Sequence, residues 1–150
     1  MKYSKPKFIV INGPNLNNLA KRENEHYGQF TYKQLEAILF DEAKKLKIDI
    51  VVTQSNDESE IVRQIQKADD DFDGVLLNPA GFGYTSVAIR DAITSLSIPV
   101  IEVHLSNIQK RELFRQRTLS APACFGQISG MKEISYLAGL YALTKLFEKP

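Results

Sequence analysis

The chain has 150 residues, 43% of them hydrophobic and 25% charged, a composition that fits one folded domain and excludes a disordered segment. Its 19 Lys and Arg nearly balance 18 Asp and Glu, and a net charge of +1 with both signs interspersed gives no electrostatic footprint for nucleic acid or an anionic membrane. A lone Cys124 excludes an internal disulfide, and with two histidines there is no Cys/His cluster for structural zinc. The opening M-K-Y-S-K-P-K-F-I-V-I-N-G has too few apolar residues for a signal peptide, and no apolar run approaches the length of a membrane span. The expectation is a soluble, cytoplasmic protein with a single domain over residues 1–150.

The first apolar run, Phe8–Ile11, predicts a strand. Asn12–Gly28 follows, long for a connection of this kind, with Lys21, Arg22, Tyr27 and several amides but little helical periodicity. From Thr31 to Leu46 the apolar residues Leu35, Ile38, Leu39, Ala43 and Leu46 recur at helical steps, and Thr31 with Gln34 reads as a capping box. Ile48–Val52 is the second strand. Ser59–Ala68 is a helix with Ile61, Ile65 and Ala68 on one face and Glu58 and Glu60 near its start, where negative charge suits the dipole. Val75–Leu77 is the third strand, ending at Asn78 before a Pro/Gly turn whose Gly81 and Gly83 let the backbone pass close to a ligand. Ser86 can cap a helix that runs to Leu96. Val100–Val103 is the fourth strand, and alternation places Glu102 and His104 on the same side of it, so that a carboxylate can orient an imidazole. Ser106, Asn107 and the basic stretch Lys110, Arg111, Arg115 and Arg117 come next, a pattern that most often means a solvated helix face. Cys124–Ile128 is the fifth strand and Lys132–Phe147 the last helix, weakened by Gly139.

The first four runs are Ile-, Val- and Leu-rich without clean alternation, as expected of strands covered on both faces. Strands alternating with helices five times predict a parallel sheet with helices on both sides, and at this length the flavodoxin-like order 2-1-3-4-5. Ligands of such sheets bind beyond the carboxyl ends of the strands. Those ends gather an Arg, a Tyr, a His, amides and backbone donors. There is no acidic cluster for a metal, no Gly-rich phosphate loop, no acid pair of a response regulator and no Ser/Thr-rich FMN loop. A small anionic, hydroxylated ligand fits what is there.

Four separated stretches carry a resemblance: I-N-G-P-N-L-N-N-L with R-E-x-x-x-Y-G (Ile11–Gly28), Q-S-N (Gln54–Asn56), N-P…T-S-V-A-I-R-D-A (Asn78–Ala92) and E-V-H-L-S-N…R-E-x-F-R (Glu102–Arg115). In order and spacing they resemble the type II 3-dehydroquinate dehydratase family, over nearly the whole chain. The resemblance implies cofactor-free, metal-free conversion of 3-dehydroquinate to 3-dehydroshikimate, in the shikimate pathway, through an enolate. It implies Tyr27 as base supported by Arg22, His104 as general acid held by Glu102, and Asn15 near the enolate. Asn78, Leu105, Ser106, Arg115 and Asp91 match substrate-binding positions, and Asp91 would act from a neighbouring subunit, since the family assembles as trimers in a homododecamer. One departure stands out. The family's P-G-A-Y-T-H is here Pro79-Ala80-Gly81-Phe82-Gly83-Tyr84, so Tyr84 replaces a substrate-contacting His, and Asp57-Glu58-Ser59 replaces His-Glu-Gly. Two other readings follow from that change: a catalytically weak homologue serving as a binding or assembly protein, or a lyase for a related hydroxylated cyclic acid.

Overall fold

The computed structural model describes residues 5–21 and 30–149. Its five parallel strands are β1 (Lys7–Asn12), β2 (Asp49–Gln54), β3 (Gly74–Asn78), β4 (Val100–His104) and β5 (Gly126–Ser129), in the order 2-1-3-4-5. The helices are α1 (Tyr32–Leu46), α2 (Glu58–Asp71), α3 (Val87–Thr94) and α4 (Glu133–Glu148). Side-chain alternation along β1 separates the two cores. Phe8 and Val10 pack with Leu35 and Leu39 of α1 and with Tyr136, Leu140 and Leu143 of α4. Ile9 and Ile11 face the other way, against Ile61 and Ile65 of α2 and Ile89 and Ile93 of α3. Each fully buried side chain of this size contributes about 1.5–3 kcal/mol of transfer free energy, so the two layers hold the sheet from both sides.

The expected caps are present. Thr31 Oγ1 accepts from the Gln34 amide at 3.1 Å while Gln34 Oε1 accepts from the Thr31 amide at 2.8 Å, and Ser86 Oγ accepts from the Ile89 amide at 2.9 Å. Gly139 has a packing reason. A Cβ there would lie 2.5 Å from Leu76 Cδ1, so the glycine lets α4 approach the sheet closely.

Three expectations need correction. β2 is not covered on both faces: it is the sheet edge, its Asp49 and Val51 are exposed, and only its inner residues are partly buried. The long connection after β1 is not without helix, because Leu16–Lys21 forms 3-10 turns kinked at Asn18, with Leu16 and Leu19 buried three residues apart. The basic stretch is not a helix either. It folds as two isolated 3-10 turns, Ile108–Lys110 and Leu113–Arg115.

Candidate active site

β2, β1 and β3 end side by side on amides, with Asn12 paired in register to both Gln54 and Asn78. These amides organise the loops above them. Tyr136 of α4 donates its hydroxyl to Asn12 Oδ1 at 2.6 Å and accepts from Asn78 Nδ2 at 2.8 Å, all three groups being buried. Asn78 Oδ1 then accepts from the Ala80 amide at 3.0 Å. Burial pushes the Tyr136 phenol well above its ordinary range, so it serves as a fixed neutral hydrogen-bonding group. On the other flank, Gln54 donates to the Gly13 carbonyl at 3.1 Å and to Asn56 Oδ1 at 3.0 Å, and Asn56 Oδ1 also accepts from the Asn15 amide at 3.0 Å. Asn15 sits in the left-handed region at φ 70°, a conformation Asn tolerates better than most residues.

Gly13 makes the closest backbone approach, Gly83 a lesser one, with a Cβ there 2.9 Å from the Pro79 ring, and Gly81 none. A Cβ on Gly13 would lie 2.5 Å from the Pro79 carbonyl oxygen, while one on Gly81 would meet nothing within 4 Å. The positive φ in the Pro/Gly turn falls on Ala80, at 51°.

His104 ends β4 and is 5% exposed. Its Nε2 lies 2.9 Å from Glu102 Oε2, the same-side pairing that strand alternation predicts. Glu102 is fully buried and also accepts from Thr118 Oγ1 and Gln127 Nε2, each at 2.7 Å, and from Ser120 Oγ. Burial raises the Glu102 pKa, but bonds from His104, Ser120 and Thr118 and the attraction of His104 outweigh it. The carboxyl is held below its usual range and stays ionised.

A crevice opens over these strand ends. His104, Leu105, Ser106, Asn78, Tyr84 and Arg115 line it, together with Leu16, Ala80, Gly81 and Arg111. Tyr84 and His104 stand with ring centroids 6.5 Å apart. The Arg115 guanidinium lies 5.8 Å from the Tyr84 ring centroid and 5.0 Å from that of Phe114, while its Nε donates to Glu112 at 3.0 Å. These contacts fix a cation at the mouth. Arg111 is the residue that sequence reasoning passed over. Its side chain is 7% exposed and adds a second guanidinium to the lining. Cys124, by contrast, is no nucleophile: burial and the nearby Glu102 charge push its thiol up to about 12.

Of the expected site residues, the structure brings Asn78, Tyr84, His104, Leu105, Ser106 and Arg115 together and places Glu102 directly behind His104. Asn15 lies beside the crevice lining at Leu16. Asp91 is exposed on α3 and is not part of the lining on its own chain. Arg22 and Tyr27 lie outside the described residues.

Residues 6–144 match the family described as dehydroquinase class II. The chain belongs to that family. It is 46% identical to the 3-dehydroquinate dehydratase of Clostridium acetobutylicum, over 95% of this chain and 99% of that one. With the 3-dehydroquinate dehydratase of Caldicellulosiruptor saccharolyticus it shares 48% identity, over 93% of this chain and 97% of the relative. The type II dehydroquinase structure from Butyrivibrio crossotus superposes with a TM-score of 0.92 at 40% identity, covering 94% of this chain and 99% of the other. As a class II dehydroquinase, the chain is built on the family's flavodoxin-like sheet, and the crevice described above occupies the strand ends where that fold places its ligands.

Proposed function

We propose that this protein is a hydro-lyase that dehydrates 3-dehydroquinate to 3-dehydroshikimate through an enolate. The observation that carries the reading is the buried Glu102–His104 pair opening into a crevice lined by two guanidiniums, Arg111 and Arg115, in a chain of this family. The chemistry requires a base for a proton alpha to a ketone, an acid for the departing beta hydroxyl, and cations for a carboxylate ligand. Tyr27 is the base. A phenol of pKa about 10 serves as one near neutral pH only beside a positive charge, and Arg22 supplies it. Nε2 of His104 is committed to Glu102, so Nδ1 is the nitrogen that delivers a proton to the leaving hydroxyl. Arg115, braced by Tyr84, Phe114 and Glu112, takes the carboxylate; Asn78, Ser106 and the Leu105 backbone take hydroxyls. Asn15 stands near the enolate. The purified protein should form the conjugated enone, followed by ultraviolet absorbance, at a rate EDTA does not change. No enone at high enzyme concentration would overturn this reading in favour of a binding or assembly protein.

Tyr84 lines the crevice beside His104, which supports contact between its hydroxyl and the substrate. Tyr84→Phe keeps the ring under Arg115 and removes one hydrogen bond. KM should therefore rise about fivefold with kcat little changed, because the contact is made before and during the reaction alike. Wild-type steady-state constants would reduce Tyr84 to a packing role.

The same reading assigns Asp91 to a neighbour's site, in trimers packed as a dodecamer. Asp91 and Val87, one turn apart on the outward side of α3, are both exposed, Val87 by 58%. Light scattering should give a large homo-oligomer. A monomer mass with full activity would exclude the shared site.

A further inference from the structure

Four donors from three segments converge on one carboxylate, and only one of them reaches the crevice. Besides His104 on its own strand, Glu102 receives Thr118 and Ser120 from the connection before β5 and Gln127 from β5, where Gln127 is its register partner. None of these three lines the crevice, so none is placed to touch a ligand there. We propose that Thr118, Ser120 and Gln127 are positioning residues for His104: they hold Glu102 in place as the anion, so that it takes the Nε2–H of the imidazole and leaves Nδ1 to exchange protons in the crevice. This role rests on the reading of His104 as the acid.

The physical case is one of saturation. An ionised carboxylate offers about four acceptor positions and no donor, and four donors meet this one. A protonated Glu102 would turn an O–H toward one of them. Gln127 Nε2 and the imidazole N–H cannot accept it, and the Thr118 or Ser120 hydroxyl could do so only by turning its own O–H away, so a proton on Glu102 would cost one of these bonds and the ring is the better place for it. The three neutral donors also fix the carboxylate plane, and through it the ring orientation, because Oε2 serves Thr118, Gln127 and His104 together. A carboxylate held only by His104 could swing with the ring. The arrangement is the familiar orientation of one histidine nitrogen by a partner on the other, with the partner itself anchored from β5.

Histidine-selective 15N NMR on the full-length protein reads the tautomer directly, and His26→Gln assigns the two histidine signals. The expected result is a protonated Nε2 and an unprotonated Nδ1 for neutral His104 in the parent protein. In Gln127→Leu, which changes an exposed residue, and in Thr118→Val, which keeps the shape, this signature should shift toward a mixture of tautomers. In parallel, kcat should fall about tenfold with KM changed less than about twofold, since the acid step alone is disturbed. Exchange of the substrate's alpha proton with solvent, a task of the base, should persist. Thr118→Ser restores the hydroxyl and should restore both readouts. If Thr118→Val does not fold, Gln127→Leu decides alone. An unchanged 15N signature in folded Gln127→Leu would overturn the proposal even with lowered turnover. A parent protein that makes no enone but shows the tautomer shift would overturn the function and leave the positioning role standing.

Discussion

Tyr27→Phe and His104→Ala are each expected to lower kcat by at least about a hundredfold, the scale on which a positioned base or acid contributes. The two substitutions remove different halves of the reaction. Phenylalanine at 27 keeps an aromatic ring but has no oxygen to accept the alpha proton, so the enolate does not form. Alanine at 104 leaves the beta hydroxyl to depart as hydroxide, unless water protonates it, and leaves the buried Glu102 anion without its partner across 2.9 Å. Glu102 keeps its Thr118, Ser120 and Gln127 donors but loses this one, which adds a stability cost to the kinetic one, and a thermal melt separates the two. His104→Gln offers a donor in place of the imidazole and should lose less stability while remaining as slow. Arg22→Ala should resemble Tyr27→Phe, since the phenol then climbs back toward its ordinary pKa of about 10 and is neutral at pH 7. Enone formation under saturating substrate measures all four. Near-normal turnover in Tyr27→Phe would mean that the base has been misassigned.

Gly13→Ala should be the most damaging glycine-to-alanine change among the described residues. Its Cβ would fall 2.5 Å from the Pro79 carbonyl oxygen and 2.8 Å from the carbonyl carbon. These are backbone atoms that no rotamer change can move aside. The Gly13 amide also donates to the Asn78 carbonyl at 2.8 Å, so separation of the two strand ends breaks the bond that ties them. Overpacking of this kind costs about 1–3 kcal/mol, and each kcal/mol lowers Tm by about 2–4 °C in a domain of this size. A loss of roughly 2–12 °C is expected, together with weaker activity, because the displaced segment leads into Ala80, Gly81 and Tyr84 of the crevice wall. A Tm within a degree of wild type would show that the β1 and β3 ends have slack that the geometry does not display.

Local rules made most of the fold legible. Helical spacing and caps locate α1 and α3, and two-residue alternation puts Glu102 and His104 on the same side of β4. Where reasoning from the chain fell short, long-range placement decides the outcome. β2 reads as a covered strand because its residues are apolar, yet Asp49 and Val51, on one of its faces, are exposed. Arg111 reads as one more cation in a polar run. Its side chain is buried where two short turns, rather than a helix, bring it into the same crevice lining as His104. Gln127 gives no local signal at all; it becomes a partner of Glu102 only once β5 lies beside β4. Likewise Tyr136 reads as an ordinary aromatic on an apolar helix, and its hydroxyl finds Asn12 and Asn78 only when α4 crosses the sheet.

That crossing has a consequence for how the enzyme comes into being on the ribosome. The bond from Tyr136 to Asn12 joins residues 124 apart, nearly the full length of the chain. Synthesis proceeds from the amino terminus, so β1 and β3 emerge long before the phenol that bridges their final amides. Until then Asn12 and Asn78 have no buried partner at that position, and one face of the sheet lacks Leu140 and Leu143 as well. A nascent chain can carry every group of the crevice as far as Arg115 and still be unable to hold them in place. Competence therefore arrives late, once α4 has emerged, and a chain truncated before α4 would be an inactive, sticky fragment rather than a weak enzyme.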